Sequence, residues 1–288
     1  MELTRSFIKS KRPCAEGFRW FLRTHRDGGD YQPLLDALVS EGRIDDACWL
    51  LTQFGPTDAV LSVDAIDAEA VVFAGSIEVR GNIDIGSTLR AGRSITAGGG
   101  IRAGHAVAAG EDVRAGGSIR SGGTLLAGGD VRAGWGVDVE DALTCDGDLR
   151  AEWDLSCGGP LMLGGNAGIG QDLLARGSVR CGKSLRAGGS IHGTDSIEVV
   201  RGIEAGASIQ CGGHLEAGWG IKAHDDIVAE GAIRAGESVL TGGEIRAGRD
   251  YGIYAGLVVQ MGAWEASARV HARSRPERLM SGWWAAPS

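Results

Sequence analysis

The strongest constraint on the fold of this chain is a six-residue repeat that keeps one frame from Val71 to Leu257. From Asp112 the sequence reads DVRAGG, SIRSGG, TLLAGG and DVRAGW. The second residue of each six is aliphatic, the fourth is small and usually Ala, and the last two are often Gly. Because strand residues two apart point to the same side, the second and fourth residues face inward and the third faces outward. The glycines let the chain turn after each short strand.

One strand and one corner per repeat predict three strands per turn of 18 residues, with turns stacked about 4.8 Å apart. Aliphatic residues 18 positions apart then form columns, so we expect Ile119 and Val137 to lie in neighbouring layers. Ala167 breaks the aliphatic position, and we expect Ile169 to compensate. The prediction is a mainly β fold, a single-chain triangular parallel β-helix of about ten turns, about 50 Å long.

Composition excludes several other classes of protein. The chain has 288 residues with 49 Gly but only 6 Pro and no three-residue period, which argues against collagen. We expect no signal peptide and no membrane insertion, because the first residues lack an apolar core and no run of about 18 apolar residues occurs. None of the 6 cysteines forms a CxxC pair, so we expect no zinc site and a reducing, cytoplasmic setting.

The runs SLRAGG, DVRAGG and GIEAGA resemble the bactofilins and related polymer-forming β-helix proteins, over about residues 65–260. The resemblance implies a right-handed triangular β-helix, end-to-end assembly into filaments and no catalytic residues. The chain differs from that family at both ends. It carries a helical N-terminal segment, and its C-terminal segment is aromatic and basic.

Hexapeptide acyltransferases are a second family with a six-residue repeat. They place the small residue two positions before the aliphatic one, whereas here it comes two positions after. They also use a catalytic histidine and usually a loop that interrupts the repeat, and no loop interrupts the frame here. An acyltransferase is therefore the less favoured alternative, and we predict that the chain is not an enzyme.

The two ends predict separate units. Residues 1–57 contain three segments with helical spacing of apolar residues, at 14–25, 30–42 and 43–55. Such a bundle fits an end cap docked on the first turn, or a recognition or dimerisation module. Residues 58–261 form the solenoid. Residues 262–288 are rich in Trp and Arg, which fits either a segment that shields the last turn or a tail that docks a partner.

Charge disfavours nucleic acid as the partner. Positions 58–261 hold 17 basic and 27 acidic residues, a net charge of −10. An acidic rod favours a basic protein partner or imitates DNA. Rows of Arg and Asp at neighbouring positions predict salt-bridge ladders across turns, or alternatively a face that binds phosphate or carboxylate.

Exposed tryptophans beside arginines are the candidate contact residues, since both types are favoured anchors in protein interfaces. Trp135 and Trp153 are 18 positions apart and should stack at one corner, unless they only cover that corner. Four cysteines, at 145, 157, 181 and 211, occupy the small inward position and should be buried. The predicted partner-binding residues are Trp135, Trp153, Trp219, Arg114, Arg132, Arg150, Trp283 and Trp284.

These observations predict a non-catalytic solenoid without cofactor or metal that binds a protein partner through one rigid flank. Inhibition of an enzyme or neutralisation of a toxin is a task suited to such a surface, because a preorganised face loses little entropy on binding. The alternative is a bactofilin-like filament subunit, and the pattern is compatible with a homo-oligomer.

Overall fold

A computed structural model describes residues 2–24, 28–259 and 262–286. Three parallel sheets stack as the walls of a β-solenoid of about 12 turns, with roughly 18 residues per turn. Each strand pairs with the strands 18 residues away, as Ile119 does with Ile101 and Val137. The solenoid prediction is confirmed. At about 4.8 Å per turn the rod is about 58 Å long, longer than predicted because strands outside the strict repeat add turns at both ends.

Wall 1 is the sheet that carries most of the candidate contact residues. Its strands are parallel and alternate inward and outward side chains, with the inward ones buried between the walls. Thirteen strands from the described residues form it: Val60–Val63, Ser76–Val79, Ile95–Ala97, Val113–Ala115, Val131–Ala133, Leu149–Ala151, Ala167–Ile169, Leu185–Ala187, Ile203–Ala205, Ile221–Ala223, Val239–Leu240, Arg269–His271 and Trp283–Trp284.

Wall 2 follows wall 1 along each turn. Corners of three residues, commonly containing glycine, separate the two. Its eleven strands within the described ranges are Ile66–Ala68, Ile83–Ile85, Ile101–Ala103, Ile119–Ser121, Val137–Val139, Leu155–Cys157, Leu173–Ala175, Ile191–Gly193, Ile209–Cys211, Ile227–Ala229 and Ile245–Arg246.

Wall 3 closes each turn and leads back to wall 1. Its twelve strands in the part of the chain that the structure describes are Val71–Phe73, Thr88–Ala91, Ala106–Ala109, Thr124–Ala127, Leu143–Cys145, Leu161–Leu163, Val179–Cys181, Ile197–Val199, Leu215–Ala217, Ile233–Ala235, Ile253–Tyr254 and Leu279–Ser281.

Corner glycines permit the close stacking of turns. A Cβ on Gly134 would lie 2.2 Å from the carbonyl oxygen of Gly116 in the turn below, which no side chain could accommodate without a backbone shift. The core is continuous, and it tolerates local exchange of large and small residues. Ala167 and Ile169 are both buried, so the predicted compensation within that strand is confirmed.

The strict six-residue frame fails after Ile245. The next strand of wall 3 places Ile253, not Tyr251, beside Ile233 in the aliphatic column. A turn at Arg249–Asp250 adds two residues, and Tyr251 instead packs edge-on against the His214 ring at 5.2 Å between centroids. Leu257, the last predicted inward residue, is half exposed. The prediction of inward positions at 251 and 257 is therefore wrong.

The C-terminal segment continues the solenoid. Strands Arg269–His271 and Trp283–Trp284 extend wall 1, and Leu279–Ser281 extends wall 3, with one short helix, Trp264–Ser267, before them. Val270 is buried in the core. The last strand of wall 1, Trp283–Trp284, pairs with the strand that contains Val270, and Trp284 lies beside Val270 in the register. The predicted boundary at residue 261 lies outside the described residues.

Four helices precede the solenoid in the described ranges: α1 (Arg5–Ser10), α2 (Ala15–Thr24), α3 (Tyr31–Ser40) and α4 (Ile44–Phe54). Three of them match the predicted segments. The sequence did not indicate α1, whose N-cap is Thr4. A short antiparallel pair joins Glu2–Leu3, which precedes α1, to Gly29–Asp30, which precedes α3.

The helical unit docks on the flank of the first turn through the wall 3 strand Val71–Phe73. The side-chain amide of Gln32 donates to Val72 O (3.1 Å) and accepts from Ala74 N–H (2.8 Å), so it pairs with this strand. Val72 points outward and is buried among the helices. The inward side chains of the first turn remain only partly buried: Leu61, Val63, Ile66, Ala68, Val71 and Phe73.

Candidate protein-binding surface

Two tryptophans stand at one corner, where wall 1 passes into wall 2. The backbone N–H of Trp153 donates to the carbonyl of Trp135 at 3.3 Å, so the two residues occupy the same position in successive turns, as predicted. Trp135 is 65% exposed and Trp153 is 61% exposed. Residues at the middle of a corner point away from the core, which leaves both indole rings in solvent. Trp135 lines a depression with Arg102 and Arg120 of wall 2.

An arginine column lies on the outer face of wall 1, next to this corner. Arg114, Arg132 and Arg150 pair in register across three consecutive strands. Their side chains are exposed over 42–69% of their surface. The structure therefore brings these three predicted arginines together on wall 1, and the corner that carries Trp135 and Trp153 borders this wall.

Each arginine of the column is held by a carboxylate from its own turn. Arg114 Nη2 lies 2.6 Å from Asp112 Oδ2, and Arg132 Nη2 lies 2.9 Å from Asp130 Oδ2. Arg150 instead binds Glu152 through Nε at 2.7 Å. The predicted ladder of salt bridges across turns is thus wrong in this part of wall 1, since the pairs form within single turns.

The aspartates connect turns in a different way. Asp112 Oδ1 accepts the backbone N–H of Asp130 (2.6 Å), and Asp130 Oδ1 accepts that of Asp148 (2.9 Å). Asp148 continues the series by accepting both the backbone N–H (2.7 Å) and the side-chain amide (3.1 Å) of Asn166. The backbone hydrogen bond from Asn166, more than any neighbouring charge, lowers the pKa of Asp148. The corner where wall 3 passes into wall 1, at the edge of wall 1 opposite the two tryptophans, is therefore fixed by carboxylate-to-amide bonds.

Further along wall 1 the ion pairs do cross turns. Glu204 lies between two cations of adjacent turns, 2.6 Å from Arg186 Nη2 and 3.2 Å from Lys222 Nζ. The hydrogen bond from Lys222 is the largest cause of a lowered pKa for Glu204. In this part of wall 1 the exposed charges are paired with one another across turns.

The remaining candidates lie elsewhere on the same wall. Trp219 occupies the opposite edge, four strands beyond Arg150 and about 19 Å away along the rod. It is 47% exposed, and the Arg201 guanidinium lies 5.3 Å from its ring centroid. Trp283 is half exposed in the last described strand, whereas Trp284 packs against the end of the core. Trp284 is therefore partly buried and less available to a partner than Trp283.

Sequence reasoning missed a depression in wall 1, which we call the Gly168 notch. Gly168 takes the outward position between Arg150 and Arg186 in the strand register. The space above it is about 550 Å³, and its charged lining consists of Arg132, Asp148, Arg150, Glu152 and Arg186. The available signal was a glycine at the third position of the repeat, where the neighbouring turns of the same wall carry Arg150 and Arg186.

The four solenoid cysteines are buried, as predicted. Each thiol donates to a carbonyl of the preceding turn, such as Cys145 Sγ to Gly129 O (3.1 Å) and Cys211 Sγ to Asp195 O (3.1 Å). Burial raises the pKa of Cys145 to about 11 and also raises the pKa of the other three thiols. Cys14, in the helical unit, is exposed.

Across the described ranges, no three or more His, Cys, Asp or Glu side chains are grouped so as to hold a metal ion. The helices of residues 2–24, 28–259 and 262–286 are all too short or too polar to span a membrane.

Comparison with known proteins finds a similarity for one part of the chain. Residues 1–54, which include α1 to α4, are similar to the family described as the YdhT N-terminal domain. No curated protein and no solved structure matches the chain. The candidate surface lies wholly outside the matched residues.

Proposed function

We propose that the chain is a non-catalytic solenoid that binds a protein partner through wall 1. The observation that supports this most directly is the pair of solvent-exposed indoles, Trp135 and Trp153, beside the arginine column of Arg114, Arg132 and Arg150. Trp and Arg supply most of the energetic anchors in protein interfaces. The backbone beneath them is a continuous hydrogen-bonded wall, so little ordering entropy is lost when a partner docks.

The task that suits this surface is inhibition of a partner, including neutralisation of a toxin. A rigid flank covers a partner's surface and needs no chemistry of its own. The solenoid as a whole carries a charge of −10 over residues 58–261, which favours a partner of opposite net charge at long range. The arginine column then provides local contacts within that acidic body.

Affinity capture with matched variants tests the proposal. The full chain, the variant Trp135→Ser/Trp153→Ser and the variant Leu126→Ser/Met162→Ser are immobilised and exposed to lysate of the source cells. Leu126 and Met162 are exposed apolar residues of wall 3 and provide the control. Captured proteins are identified by mass spectrometry, purified and titrated against each chain, and the partner's activity is assayed with and without the solenoid.

We expect a protein that binds the wild-type and wall 3 variants equally. The corner variant should bind it at least about 30-fold more weakly, the effect of losing a 2 kcal/mol anchor. Equal binding by all three chains would remove wall 1 as the binding surface. If the partner binds but its activity does not change, the solenoid acts as a scaffold and the proposed inhibitory role is wrong.

Self-association through the first turn is a second candidate function. The inward side chains of that turn, such as Val71 and Phe73, are only partly buried because the helical unit docks on the flank. End-to-end contact of two copies would bury them. The acidic residues Asp64, Asp67 and Glu69 at this edge oppose such pairing, which makes it the weaker candidate. Light scattering across a concentration series distinguishes a monomer from a dimer, and electron microscopy reveals filaments.

A further inference from the structure

The backbone at Gly168 could accommodate a residue with a side chain. A Cβ at this position would meet only the carbonyl oxygen of Leu149, at 4.0 Å. Its φ lies outside the left-handed region that favours glycine. By contrast, a Cβ on the corner residue Gly134 would lie 2.2 Å from a backbone oxygen. Glycine within a strand weakens the strand and often marks a position where a ligand approaches closely. Gly168 is therefore explained by the depression that it leaves in the surface, and not by a backbone requirement.

Because Gly168 has no side chain, it leaves a gap on the outer face of wall 1 between two guanidinium groups. Arg150 and Arg186 flank Gly168 two turns apart, or about 10 Å between backbones. Both side chains are exposed over more than two thirds of their surface. The open space of about 550 Å³ is large enough to admit a side chain from outside.

Both arginines retain donors that can face this space. Arg150 binds Glu152 through Nε, and Arg186 binds Glu204 through Nη2. A guanidinium has five N–H donors and no acceptor, so each keeps several after making its one ion pair. Forked donors of this kind suit the two oxygens of a carboxylate.

The charges around the notch favour a singly charged group. Each arginine of the lining already binds one carboxylate. The notch therefore offers an incoming group the remaining N–H donors of these arginines, and not a surplus of positive charge. A doubly charged phosphate would lie close to Asp148 and Glu152, and like charges at short range are costly, so a singly charged carboxylate fits better.

We propose that the Gly168 notch receives an aspartate or glutamate side chain of the partner protein, held between Arg150 and Arg186. This inference rests on the proposed function of wall 1 as the binding surface, and it adds the chemistry of one partner residue. The partner is thus a protein that projects an acidic side chain at its interface, whatever its overall charge.

The notch can be tested without the partner. The probe is N-acetylglutamate methylamide, titrated into the full chain while the Arg Nε–Hε and backbone amide signals are followed by NMR. We expect saturable shifts at Arg150, Arg186 and Gly168. The uncharged analogue N-acetylglutamine methylamide should bind at least about tenfold more weakly, since charge-assisted bonds are about twice as strong as neutral ones.

Two variants provide the controls. Gly168→Gln fills the notch without adding charge and should weaken probe binding at least about tenfold. Arg234→Gln changes an exposed arginine of wall 3, outside the proposed surface, and should leave probe binding unchanged. If Gly168→Gln does not fold, Arg186→Gln takes its place with the same expected loss.

Three results would overturn the proposal: equal binding of the amide analogue, unchanged binding by the filled variant, or tighter binding of inorganic phosphate than of the glutamate probe. The readout is also separate from partner capture. A chain that loses its partner through Trp135→Ser/Trp153→Ser but never binds the probe refutes the notch alone. A chain that binds the probe while the corner variant retains every partner refutes the proposed binding surface.

Discussion

Two glycines of wall 1 give opposite predictions for the same substitution. Gly168 lies in a strand with open space above it, and Gly134 lies at a corner under close stacking. In Gly168→Ala, the new methyl group meets no atom nearer than 4.0 Å, while the unfolded chain loses conformational freedom. We therefore expect this variant to be more stable than the wild type by about 0.4–1 kcal/mol.

Gly134→Ala should have the reverse effect. Its methyl carbon would start 2.2 Å from the Gly116 oxygen and 3.0 Å from the Gly116 carbonyl carbon. Both contacts are with the backbone of Gly116, whose N–H donates to Ala97 O one turn earlier, so relief requires two turns to separate locally. Overpacking of this kind costs about 1–3 kcal/mol, and the two variants should differ by about 1.4–4 kcal/mol.

The assay must resolve local stability, because a solenoid is stabilised mainly by contacts between neighbouring repeats and can unfold in parts. Native-state hydrogen exchange of the amides in strands Val131–Ala133 and Ala167–Ile169 reports each turn separately, and thermal unfolding gives the global effect. If Gly168→Ala proves as destabilising as Gly134→Ala, the backbone does require glycine at 168. Glycine at 168 would then be a structural requirement, and its presence would not indicate a binding site.

Three further results are expected. Stability should fall as the pH falls through the lowered pKa of Asp148, because the unfolded carboxylate binds a proton first, and Asp148→Asn should flatten this acid limb in urea titrations. Stability should also fall as the pH rises from about 9 to about 11, since the unfolded Cys145 thiol ionises before the buried one, and Cys145→Ala should reduce that loss. A thiol reagent at pH 8 should modify Cys14 in the native chain and the four solenoid cysteines only after unfolding; rapid native labelling of Cys145 would contradict its burial.

The sequence was sufficient for the fold wherever the repeat is strict. A buried column requires an aliphatic side chain in every turn, and no other arrangement explains residues such as Ile119 and Val137 at a spacing of 18. The prediction failed where a corner gained residues, because Tyr251 is apolar enough to fit the frame while Ile253 fits the column. Only the three-dimensional path distinguishes the two.

The surface was less accessible to sequence reasoning. Spacing placed Trp135 and Trp153 at one corner, but it could not tell whether Asp130 bonds to an arginine of its own turn or of the next. In the structure Asp130 binds Arg132 of its own turn through one oxygen, while its other oxygen accepts the backbone amide of Asp148 in the next turn. Gly168 was lost among 49 glycines, most of which mark corners.

This division of the aspartate oxygens bears on the proposal that one stretch of wall 1 binds a partner. The carboxylate of Asp130 is fixed by a backbone amide, and it fixes Arg132 in turn, so that arginine is oriented before a partner arrives. An anchor that is already ordered loses less rotamer entropy on docking. Between Arg186 and Lys222, by contrast, Glu204 joins two cations across turns and uses their charge internally. The notch at Gly168 lies where the first arrangement gives way to the second, because Arg150 is paired within its own turn and Arg186 belongs to the network at Glu204 while keeping its other N–H donors.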